Sequence, residues 1–178
     1  DQTPPRPFFR TAQACFVVNG NIPDGGSATF DAAVMGPNPG SSVPNLRVTV
    51  HADHPDVNDL RISLTKIAPV TVGPLTLMDR PSATNCTGPR VQAAFADVGS
   101  SLLSGCNGQE PAVSGKVAPV QSLSSFSSVV AEGVWRLTVV DAEADGHAGT
   151  LREWCLSSDV PLTATQLVNP NIMLNGFE

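Results

Sequence analysis

Apolar and polar residues alternate along most of this chain. Leu46, Val48 and Val50 are interleaved with Arg47, Thr49 and His51; Leu60, Ile62 and Leu64 with Arg61, Ser63 and Thr65; Trp135, Leu137 and Val139 with Arg136, Thr138 and Val140. Successive side chains on a strand point to opposite faces, so each set offers one face to a core and the other to solvent. Weaker versions of the pattern predict short strands near Cys15–Asn19, Ala28–Met35, Val70–Met78, Val91–Asp97 and Thr150–Ser157. Between them stand turn clusters such as Pro23-Asp24-Gly25-Gly26, Pro37-Asn38-Pro39-Gly40 and Ala144-Asp145-Gly146, whose residues tolerate φ > 0 or preset a turn. No segment keeps a helical period beyond about two turns, and Leu102-Leu103 reads as a single helical turn. Many short strands with frequent corners predict an all-β, antiparallel sandwich or jelly roll. Its core is expected around Trp135 and Trp154, with Leu60, Ile62, Leu64, Leu137 and Val139.

Composition narrows the class. The 178 residues suit one compact domain, and 41% hydrophobic against 15% charged residues is too apolar for a disordered chain. The chain divides into a Pro-rich strap at 1–13, a sandwich domain at 14–160 and a tail at 161–178. The net charge of −6 comes with ten basic residues scattered along the chain, which gives no track for a nucleic-acid backbone. No apolar run approaches the roughly 18 residues a membrane span needs. An acidic surface suits solubility outside the cell, or cation binding where carboxylates converge.

The four cysteines, Cys15, Cys86, Cys106 and Cys155, form no Cys-x-x-Cys pair, so they read as two disulfides rather than a metal or redox site. Three connectivities are open on count alone. Alternation bears on the choice: if Phe16 and Trp154 face the core, Cys15 and Cys155 face outward and can bridge neighbouring strands. Closing about 140 residues in this way contributes roughly 4–5 kcal/mol in the chain-entropy model. Cys86 and Cys106 would then close the loop between them. No leader segment is visible, which for an oxidised chain fits a mature secreted form. Asn85-Cys86-Thr87 matches a glycosylation acceptor, a match read as incidental beside a half-cystine.

Several ordered blocks across residues 22–157 then carry a resemblance. Ile22-Pro23-Asp24 precedes an alternating strand; His51 precedes Asp59-Leu60-Arg61-Ile62-Ser63-Leu64; and Gly115, Pro119, Leu123-Ser124 and Phe126 follow in order. The most specific block is Gly133-Val134-Trp135-Arg136-Leu137-Thr138-Val139-Val140-Asp141, continued by Asp145, Gly149-Thr150-Leu151 and Trp154. Together these resemble the P-domain, or P/Homo B module, of kexin- and furin-like proprotein convertases. The cysteine pair in the middle resembles secreted bacterial versions. One departure is the stretch from His51 to Asp59, which is longer than the family pattern and makes 52–58 an expanded acidic loop. The resemblance implies a jelly roll of about eight strands, related to galactose-binding domains. It also implies a non-catalytic, extracellular module that packs on a subtilisin-like catalytic domain and stabilises it.

The residues themselves give little support for catalysis. His51, His54 and His147 neighbour no nucleophile motif: His51 reads as a strand-end residue, and His54 and His147 as exposed loop residues. No zinc-type histidine pair and no phosphate loop is present. The acids offer another use. Asp141, Glu143 and Asp145 follow a strand; Asp53, Asp56, Asn58 and Asp59 crowd another loop; and Asp97 ends a third strand. Two readings stay open: calcium held by Asp141 and Asp145, with Asp59 and Asp97, or turn caps bonding backbone amides. Two functions are likewise carried, a protease accessory module and a free-standing binder of glycans or proteins. Seven Phe, two Trp and no Tyr leave few aromatics for a sugar-stacking platform, which favours the first.

Overall fold

The computed structural model describes residues 13–81 and 86–165. Most of the strap, the end of the tail and Asn85 of the acceptor triplet lie outside the described residues. The alternating segments form β1 (Ala14–Ile22), β2 (Ser27–Met35), β3 (Arg47–Asp53), β4 (Leu60–Ala68), β5 (Val72–Asp79), β6 (Val91–Ser100), β7 (Val113–Val117), β8 (Gly133–Asp141), β9 (Gly149–Ser157) and β10 (Thr163–Thr165). They build two five-stranded sheets, ordered β1-β9-β3-β6-β7 and β10-β2-β8-β4-β5. Among the described residues every strand pairing is antiparallel except β6 with β7. This is the all-β sandwich that the alternation predicts.

The inward positions interlock between the sheets. Val48, Val50, Phe95, Trp154 and Leu156 come from the first sheet, and Leu60, Ile62, Leu64, Trp135, Leu137 and Val139 from the second; all are buried. Each such aliphatic side chain contributes on the order of 1.5–3 kcal/mol relative to an exposed one. Phe16 packs on Trp154 with ring centroids 5.1 Å apart, while Phe126 meets Trp135 edge-on at 5.2 Å. The Trp135 indole N–H donates to the Ala131 carbonyl at 3.0 Å, so the ring is buried without an orphaned donor.

The disulfides follow from the strand faces. Cys15 and Cys155 are direct partners across β1 and β9, on the face opposite Phe16 and Trp154, and they are bonded. Cys86 is bonded to Cys106. A helical turn, α1 (Leu102–Gly105), lies where Leu102-Leu103 predicts one.

Two strands are absent from the sequence pattern. β7 has apolar residues only at its ends, with Gly115 at φ 81° between them, and it gains its place by parallel pairing to β6. β10 falls in the segment assigned to the tail, yet Thr163 to Thr165 pair with Met35 to Ala33 and extend the edge of the second sheet.

Candidate functional site

The inward alternation of β8 runs Trp135, Leu137, Val139 and then Asp141, so the last inward position holds a carboxylate. Its cross-strand partner is Leu60, the first residue of β4. Directly before β4, the chain leaving β3 folds through His54, Pro55 and Asp56 into a 3₁₀ turn at Val57–Asp59, capped by the Asp56 carboxylate accepting from the Asn58 amide at 3.0 Å. This connection carries His54 and Asp59 under the end of β8. His54, Asp59 and Asp141 each place one ligand-type atom within 4.8 Å of the others, and all three are buried.

The bonds within the cluster are specific. His54 Nε2 lies 3.0 Å from Asp141 Oδ2, with both side chains fully enclosed. His54 Nδ1 lies 2.7 Å from the Asp56 carbonyl and 3.2 Å from the Asp56 amide, so the backbone of one residue holds the ring, through the carbonyl or the amide according to the tautomer. The other Asp141 oxygen accepts from the Glu143 amide at 3.1 Å, so one carboxylate caps a turn and faces an imidazole at once. Asp59 Oδ2 is buried without a hydrogen-bond partner. Burial, and then the nearby Asp56, Asp145 and Asp141 carboxylates, push the Asp59 carboxyl above its ordinary value against the opposing pull of His54.

Glycine makes the room. A Cβ at Gly149 would stand 2.7 Å from the Asp53 carbonyl and 2.8 Å from His54 Cδ2, so no larger residue fits without displacing the imidazole. The guanidinium groups at this end serve other acids. Asp53 takes Arg90 at 2.7 Å and Arg152 at 2.6 Å, and Arg80 pairs with Glu143.

The remaining residues singled out by sequence fall in different places. Asp145 is exposed, accepts from the His147 amide at 3.2 Å and lies beside the His147 ring. The turn that carries it is held by Asp24, whose carboxylate accepts from the Asp145 and Gly146 amides at 3.0 and 3.1 Å. Asp97 does not join the cluster. It sits past the Val48–Phe95 pairing, whereas His54 follows the Ala52–Val91 end of the same ladder. There Asp97 caps the 3₁₀ turn at Leu123–Phe126, accepting from Leu123 N and Ser122 Oγ, both at 2.8 Å.

One histidine reading needs correction. His54 is buried rather than exposed, because its loop turns inward beneath β8 instead of out to solvent. His51 stays on β3, half-buried, 3.8 Å from Asp53. The histidine grouped with Asp59 is therefore His54, five positions before it. Among the described residues, the side chains hydrogen-bonded to or ion-paired with the three histidine rings are aspartates. A second cluster of potential ligands, Cys15, Glu153 and Cys155, has its sulfurs joined in a disulfide.

No family model matches the chain, and no curated protein matches it. Solved structures similar to it include two of serine proteases. One is the crystal structure of the Aeromonas sobria serine protease in complex with the chaperone ORF2, at 21% identity and TM-score 0.47, covering 86% of this chain and 26% of that one. The other is the crystal structure of the serine protease of Aeromonas sobria, at 18% identity and TM-score 0.46, covering 84% of this chain and 26% of that one. The chain spans about a quarter of the length of the solved chains it matches.

Proposed function

We propose that this chain is a P-domain-type accessory module, secreted and non-catalytic by itself, that stabilises a subtilisin-like serine protease domain. One observation carries the reading. Motif residues spread over more than a hundred positions meet at one end of the sandwich. Ile22 pairs with Gly149, Asp24 bonds the Asp145 turn, and Asp59 faces Asp141. Residues that carry a resemblance by chance have no reason to contact one another. The same block supplies Trp135 and Trp154 to the core, which leaves neither for stacking against a sugar.

The test mixes the purified chain with a subtilisin-like catalytic domain from the same source. The half-life of protease activity at a temperature that inactivates the catalytic domain alone should lengthen several-fold, with a complex visible by size-exclusion chromatography. The chain alone should not cleave casein. An unchanged half-life with no complex overturns the accessory role, as does casein turnover by the chain that survives repurification and is abolished by a serine-directed inhibitor.

A further inference from the structure

We propose that His54 Nε2, Asp59 and Asp141 form an internal site for one divalent transition-metal ion, with zinc the best match to the donor set. The inference is independent of the accessory role. It begins with an imbalance of donors and acceptors. The Asp56 backbone anchors His54 Nδ1, with its carbonyl at 2.7 Å and its amide at 3.2 Å, and in the tautomer that carries its hydrogen on Nδ1 a lone pair on Nε2 faces Asp141 Oδ2, 3.0 Å away. Asp59 brings a second carboxylate to the same point, and its buried Oδ2 meets no donor. In that tautomer three electron-pair donors converge in a buried space. Buried carboxylates of this kind are stable when paired or when they coordinate a metal.

The surroundings fit an ion. Metal-bound histidines usually donate their other N–H to a carbonyl or carboxylate, which fixes the ring; here His54 Nδ1 reaches the Asp56 carbonyl at 2.7 Å. Tetrahedral zinc with bonds of about 2.0–2.1 Å holds its ligands roughly 3.3 Å apart, within the spread of these atoms. The imidazole decides the class of ion. Calcium and magnesium favour oxygen alone, whereas imidazole with carboxylates suits zinc and its neighbours. This assignment departs from an all-oxygen calcium site at Asp141 and Asp145. A surface hollow lined by Asp53, Arg90 and Gly149 reaches His54 on the outer side of the cluster.

The test uses the full chain after chelator treatment, with zinc, cobalt(II), calcium and magnesium chlorides. One equivalent of zinc should bind. At about a hundredfold excess over Kd it should raise Tm by roughly 5–10 °C, with calcium and magnesium doing much less. Cobalt(II) should give visible d–d bands of a low-coordinate site. Asp59→Asn and His54→Gln should each remove the zinc shift and the cobalt bands, while His147→Ala keeps both. If His54→Gln does not fold, Asp59→Asn and the wild-type cobalt spectrum still decide.

Three results overturn the proposal. Folded wild-type protein with neither a zinc shift nor cobalt bands would mean that the three side chains are satisfied by one another. Stabilisation by calcium that persists in His54→Gln would mean an oxygen-only site. Zinc binding lost in His147→Ala but kept in Asp59→Asn would move the ion to the exposed Asp145–His147 pair.

Discussion

The second sheet ends in two buried charges, and they are finished in different ways. Along β4 the inward series Leu60, Ile62, Leu64 continues to Lys66; along β8 the series Trp135, Leu137, Val139 continues to Asp141. Because the strands are antiparallel, with Lys66 opposite Trp135 and Leu60 opposite Asp141, the two charges close opposite ends of one core. The Lys66 ammonium donates to the Val130, Ala131 and Glu132 carbonyls and lies 4.7 Å from the centre of the Trp135 ring. All three of its hydrogens have acceptors. At the Asp141 end a histidine and two carboxylates face each other, and one carboxylate oxygen has no donor. A buried charge that serves only the fold is satisfied by the fold itself. The acidic end is left short of a positive charge, which is what a ligand site requires.

The largest expected effect lies at the lysine end. Trp135→Ala removes the ring beneath Lys66 and empties a buried aromatic site, and should cost about 3–5 kcal/mol in urea denaturation. A loss under about 1 kcal/mol would mean that Trp135 is not core. Lys66→Met keeps the volume but takes the ammonium from the Val130 and Glu132 carbonyls, while Ala131 keeps the Trp135 indole N–H, and should cost about 2–4 kcal/mol. A neutral or stabilising result would show that those carbonyls do not depend on the ammonium.

The same lysine predicts a pH dependence. Burial pulls Lys66 down to about 8 from an ordinary 10.5, against an upward pull from Glu132. Below about pH 8 both folded and unfolded chains hold the proton. As pH rises from there toward the ordinary lysine range, the unfolded chain keeps a proton that the folded one has released, so stability rises with pH. Subtracting the Lys66→Met profile from wild type should isolate that rise, and equal slopes in the two proteins would contradict it.

The smallest effect belongs to Asp53, beside the acidic cluster but outside it. Burial alone would raise its carboxyl, yet the Arg152 and Arg90 guanidinium groups hold it below the ordinary aspartate value. Its contribution is therefore present above the ordinary aspartate range and fades as pH falls through the lowered value. Asp53→Asn should cost under about 1 kcal/mol, less at high salt, measured by thermal melts at two ionic strengths. A larger, salt-insensitive loss would make Asp53 part of the buried site.

Much of this contrast is legible in the sequence, because side-chain period is a local property. The alternation that locates Leu60, Ile62 and Leu64 also assigns Lys66 to the core face, and Val139 leads to Asp141 by the same step. Strand faces likewise put Cys15 and Cys155 on the side away from Phe16 and Trp154. His54 is a different case. Its burial depends on a carboxylate 87 positions later, and nothing in the loop's own composition reveals that contact. β7 and β10 escaped for a related reason: their order comes from pairing with β6 and β2 rather than from an apolar face.

The contrast between a completed end and an unfinished one is tested most directly by comparing Asp59→Asn with Lys66→Met in chelator-treated protein. Unfolding free energies from urea titration suffice. Asp59→Asn removes one crowded negative charge and adds a donor among acceptors, so it should leave stability unchanged or raise it by up to about 1 kcal/mol. Lys66→Met should destabilise by several times that amount. If Asp59→Asn instead costs as much as Lys66→Met with no metal present, the acidic end is already satisfied by the fold, and the account of it as a site fails.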